Sequence, residues 1–95
     1  MTEAEAKKIV QRRLEQDADE EYPLVWVGDI FSETPDTFII EGSGYSEKEG
    51  INEGRVFCAV HKTTGRCGLV PPLPGVKLTR ELFKSFSWDG SWVVI

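Results

Sequence analysis

Histidine occurs once in this 95-residue chain and cysteine only twice. A structural zinc site asks for four ligands, and one His with two Cys falls short of that set. Long apolar runs are also missing: none approaches the ~20 residues needed to cross a bilayer. The first residues lack the basic-then-apolar layout of a secretory signal, so a cytoplasmic location is the expectation. Basic residues are in deficit, 11 against 16 acidic, for a net charge of −5. Nucleic acid and anionic membranes select for basic patches, so neither is the expected partner, whereas a basic protein fits. The length suits one domain around one core, spanning residues 1–95.

What is present reads as a small α+β domain. The clearest local signal is residues 55–70, RVFCAVHKTTGRCGLV, where two apolar runs flank Lys62-Thr63-Thr64-Gly65. A turn closed by a glycine, which accepts a positive φ, predicts a β-hairpin. With Gly65 as the bulge residue, Lys62 faces Arg66, His61 faces Cys67 and Cys58 faces Val70. In that register the two cysteines point to opposite sheet faces, which disfavours a disulfide and predicts free thiols.

Thr2 with Glu5 three residues later forms a capping box that starts a helix at Glu3. Ala6, Val10 and Leu14 share one stripe with Ile9 beside it, while Lys7, Lys8, Arg12 and Arg13 face water, giving a helix over 1–17 with one buried side. Five acids in EQDADEE end it, and residues 18–23 read as an acidic linker. Residues 24–31, LVWVGDIF, have strand composition with Trp26 expected in the core, and Glu33-Thr34-Pro35-Asp36 has turn chemistry before a second strand over 37–41. The pair makes a hairpin over 24–41.

Residues 42–54, GSGYSEKEGINEG, hold four glycines and read as a long mobile loop. Gly42-Ser43-Gly44 is not a phosphate loop, because no Gly-Lys-Ser/Thr follows. Pro71-Pro72 ends the second hairpin, and PPLPGVKL reads as a rigid connector. Thr79 caps a short helix from Arg80 to about Phe86, with Leu82, Phe83 and Phe86 inward. The tail alternates Trp88, Trp92 and Val94 around an Asp-Gly turn. The expected architecture is an N-terminal helix packed on a four-stranded antiparallel sheet, five-stranded if the tail adds a strand, with a short C-terminal helix in the 71–95 segment. Both sheet faces carry apolar side chains, so the C-terminal segment or another chain must cover the second.

Cys58-x-x-His61 invites a metal, but strand alternation sends the two side chains to opposite faces. His61 opposite Cys67 is the better catalytic candidate, since an imidazole beside a thiol lowers its pKa. No oxyanion hole or strand-to-helix elbow accompanies it, and the expectation is no catalytic residues, no metal and no cofactor. The residues assigned to partner binding are Tyr45, Glu47 and Glu49 of the loop, Trp88 and Trp92 of the tail, and Asp17, Asp19, Glu20 and Glu21 of the linker. Large aromatic rings anchor interfaces, and clustered acids steer basic partners.

The order of parts resembles the small YrhB-like bacterial family that includes immunity proteins of polymorphic toxin systems. The similar features are the Thr-initiated helix TEAEAKKIVQRRL, the strand DTFIIE with the following Tyr45, and the strand-turn-strand RVFCAVHKTTGRCGLV ahead of a short helix. The chain departs from that pattern at His61-Lys62, where the family carries an acid, and in the tail from Trp88 onward. The resemblance implies a non-catalytic role, binding a cognate toxin through the uncovered sheet face and the 42–54 loop. The strand-KTTG-strand pattern is also similar to PepSY-like and other cystatin-like domains, which implies an inhibitor or regulator of a peptidase or other enzyme. A homodimeric module burying its second face against a twin is the third reading.

Overall fold

The structure is a computed structural model that describes residues 1–48, 56–70, 77 and 79–84. Helix α1 spans Glu3–Asp17 and begins as its capping box dictates. The Thr2 hydroxyl accepts the Glu5 N–H at 3.2 Å, and the Glu5 carboxylate accepts the Thr2 N–H at 3.1 Å. Two orphan donors are thereby satisfied. Strands β1 (Leu24–Glu33), β2 (Thr37–Tyr45), β3 (Val56–His61) and β4 (Cys67–Val70) follow, then helix α2 (Arg80–Phe83). The four strands form one antiparallel sheet in chain order, with β1 and β4 at its edges among the described residues. The expected α+β architecture, helix on sheet with a short second helix, is the one observed.

Alternation along the strands divides the sheet into two faces. On one, Ala6, Val10 and Leu14 of α1 pack against Phe38, Ile40, Cys58 and Val60, all buried. On the other, Ile39, Ala59, Val70 and Phe83 make a second buried cluster, with Phe31 and Phe57 packed against it. The rings of Phe31, Phe57 and Phe83 meet in pairs at 4.6, 5.3 and 5.8 Å between centroids. These tilted and edge-on geometries suit the ring quadrupoles. Phe83 thus seats α2, a helix far too short to stand alone. Its N-cap Thr79 accepts the Leu82 N–H at 3.2 Å, as the sequence indicates. The Arg80 Nε donates to the Phe31 carbonyl at 3.1 Å and fixes the same helix to β1.

Residues 42–45 do not form the start of a loop. They complete β2, pairing as Val27↔Gly42, Trp26↔Ser43, Val25↔Gly44 and Leu24↔Tyr45. Read by composition, glycines here signal flexibility. Their structural use is close approach: a Cβ on Gly42 would lie 2.6 Å from the Leu14 Cδ1. The bare position lets the Leu14 side chain of α1 lie directly on β2. Residues 49–54 of the expected loop lie outside the described residues.

The second hairpin turns at the expected place but with a different register. Four residues, 62–65, make the loop: His61 N–H donates to the Arg66 carbonyl at 2.9 Å and Gly65 N–H to the His61 carbonyl at 2.9 Å. Val60 therefore faces Cys67, and Cys58 faces Leu69. The His61 Nδ1 accepts the N–H groups of Thr63 and Thr64 at 3.3 and 3.2 Å, which favours this longer loop. A one-residue change of register flips the whole partner strand. Both cysteines consequently lie on the α1 face, correcting the expectation of opposite faces. They are free thiols, as expected.

Gly65 has φ of 73°. Its nearest neighbours would be the Met1 Cε and Ile9 Cδ1 at 3.6 and 3.7 Å from an added Cβ, so an alanine fits sterically. The strain is in the backbone alone, and Gly65→Ala should destabilise by about 1 kcal/mol, read from chemical denaturation midpoints.

Candidate binding face and acidic end

On the second sheet face Leu24, Trp26 and Phe31 of β1 and Glu41 and Tyr45 of β2 are partly exposed, while Ile39 and Ser43 between them are fully buried. Trp26 is half-buried rather than core. It pairs regularly with Ser43, and two register shifts follow it in β1, on either side of Ile30. The Gly28-Asp29 step bulges, and the Trp26 ring lies along the strand so closely that a Cβ on Gly28 would come 2.9 Å from its Cη2. Asp29 turns to the opposite side and pairs with Lys7 of α1 at 2.9 Å. Bulges characteristically re-aim side chains at sheet edges. The result is a cleft of about 470 Å³ whose walls include Trp26, Phe31, Glu41 and Arg80. The Arg80 guanidinium lies 5.1 Å from the Phe31 ring centroid, a cation–π contact. Sequence reasoning missed this cleft. The signal available for it was Gly28-Asp29 interrupting the alternation of LVWVGDIF.

The linker and the end of β2 meet through the Leu24↔Tyr45 pairing. The Asp19 carboxylate accepts the N–H groups of Glu21 and Tyr22 at 2.9 and 2.8 Å, folding the linker into an Asx turn. Tyr22 then packs at Gly44. Asp19, Glu20, Glu21 and Glu47 are exposed, as is Lys48. Of the residues assigned to partner binding, the structure therefore brings Asp19, Glu20 and Glu21 to the same end as Tyr45 and Glu47. Asp17 is engaged by Arg13 one helical turn earlier, at 3.0 Å. Glu49, Trp88 and Trp92 lie outside the described residues, as does Phe86.

The geometry also separates His61 from Cys67, which stand on opposite faces. The cross-strand contact that a Cys–His nucleophile would need is not made, correcting the register on which that candidate rested. Among the described residues no group of three or more His, Cys, Asp or Glu gathers as metal ligands, and no helix is long and apolar enough to cross a membrane.

At the first turn, the Asp36 carboxylate accepts the hydroxyls of Thr34 and Thr37 at 2.8 and 2.9 Å. These bonds hold its pKa below the ordinary carboxylate value. Asp29 is lowered by the Lys7 hydrogen bond and charge, and Glu5 by the Thr2 hydrogen bonds. A carboxyl depressed in the folded state contributes stability that is present above its unfolded pKa and lost as pH falls through its folded one. Thermal unfolding midpoints should thus hold from neutral pH down to about pH 4 and fall below it. Asp36→Asn should give a shallower acid slope.

Comparison with protein-family models, with curated proteins and with solved structures returns no match in any of the three.

Proposed function

We propose that this chain is a non-catalytic binding domain that grips a basic protein through its second sheet face and the acidic end beside it. The observation that carries this reading is the continuity of the two features. Half-buried Trp26 and Phe31 flank Glu41 on the face opposite α1, and the same strands lead directly to Tyr45, Glu47 and the Asp19–Glu21 carboxylates. An aromatic anchor beside a charged rim is how stable interfaces divide affinity from steering. The specific role is the one implied by the likeness to immunity proteins: neutralising a cognate bacterial toxin by occupying its surface.

The test is isothermal titration calorimetry of this chain against the product of the gene beside its own. The expected result is one-to-one binding whose affinity falls as salt is raised, because exposed charges are screened beyond a Debye length of about 8 Å at physiological ionic strength. No binding, together with light-scattering mass of twice the chain, would instead assign the second face to a homodimer. Binding that blocks a peptidase would favour the PepSY-like inhibitor role.

A further inference from the structure

The register that overturns the expected cysteine geometry places two sulfurs together beneath α1. Cys58 is fully buried in β3, and Cys67 is half-buried in β4. With Cys58 facing Leu69 and Val60 facing Cys67, the two are diagonal neighbours on one face. Both belong to the apolar cluster that α1 covers. Above Cys67 a shallow cleft of about 310 Å³ opens to the surface, lined by Ile9, Arg12, Arg13 and Gln16 of α1, with Gly65.

We infer that Cys67 is an oxidant-reactive site whose oxidation by hydrogen peroxide is completed by Cys58, closing a disulfide between β3 and β4. The asymmetry of the pair assigns the roles. Cys67 is reached from the cleft, whereas Cys58 has no exposure and can act only from within. The neighbouring Cys58 thiol, helped by the Arg13 charge, lowers the Cys67 pKa against the opposing effect of burial. The Cys67 thiol, then burial, raises that of Cys58. The thiolate is the nucleophilic form, so Cys67 attacks and Cys58 resolves.

In the first step the Cys67 sulfur attacks one peroxide oxygen: an S–O bond forms, the O–O bond breaks, and the departing hydroxide takes up the thiol proton as water. The sulfenic acid so formed lies against Cys58. In the second step the Cys58 sulfur attacks the Cys67 sulfur: the S–S bond forms, the S–O bond breaks, and hydroxide leaves with the Cys58 proton as a second water. Two thiols lose two electrons, and one peroxide yields two waters. Diagonal positions are typically about 7–8 Å apart, just beyond the ~7 Å that a disulfide spans without backbone movement, so the two strands must draw together. The approach required falls on β4, a four-residue strand that among the described residues pairs with β3 alone.

The test is intact mass of the native chain after brief peroxide exposure and alkylation in denaturant. The expected species has lost about 2 Da, resists alkylation at both cysteines and returns to the dithiol with dithiothreitol. Dimedone present during exposure should label Cys67 and not Cys58, a readout that needs no variant. Cys58→Ser should stop the reaction at a dimedone-reactive Cys67. The inference is overturned if both cysteines remain alkylatable, if Cys58 is labelled first, or if the only disulfide formed joins two chains.

Discussion

Ile40→Ala should lower the free energy of unfolding by about 2–5 kcal/mol, measured by urea denaturation. Ile40 is fully buried on β2, the strand that contacts α1, β1 and β3, and it belongs to the cluster with Val10, Leu14 and Cys58. The substitution removes three carbons where the surroundings are fixed by a helix above and paired strands on both sides. Partial collapse is the only relief, so the loss belongs toward the upper part of that range. A small domain has roughly 5–15 kcal/mol in all, and the variant would be partly unfolded near physiological temperature. A cost under 1 kcal/mol would mean that α1 does not seat on this face.

Trp26→Ala should weaken partner binding by about 30-fold or more while leaving the fold intact, since central aromatic anchors commonly contribute 2 kcal/mol or more. Trp26 stands on an edge strand, half-buried, with its ring over Gly28 and the cleft toward Arg80 beside it. Its removal opens no cavity between α1 and the sheet, because Val25, Val27 and Ile30 supply the β1 side chains to that core. Equal affinity for the two proteins, with circular dichroism unchanged, would remove the aromatic anchor from the account. By contrast, reversing Glu20 and Glu21 to lysine should act chiefly on the association rate, as rim charges do.

The parts legible in the sequence are those dictated by neighbours a few residues apart. The Thr2–Glu5 box, the Ala6–Val10–Leu14 stripe, Gly65 at positive φ and the Thr79 cap each carry their own local chemistry. What was not legible depends on distant partners. Gly42 reads as loop until Leu14 is seen lying on it. The cysteine faces turned on whether three or four residues close the hairpin, a choice made by the Nδ1 of His61 accepting two backbone N–H groups. Trp26 alternates like a core residue, and only the bulge beside it turns β1 into the wall of a cleft. The candidate site was therefore half visible: its acids could be named, whereas the surface they adjoin could not.

The claim that the second sheet face does the binding is tested most directly by amide chemical-shift mapping during titration with the partner. Perturbations should concentrate at Trp26, Phe31, Glu41 and Tyr45 and extend to Glu21 and Glu47, with the outer surface of α1 unaffected. Shifts confined to Lys8, Gln11, Arg12 and Glu15 on that helix would contradict it.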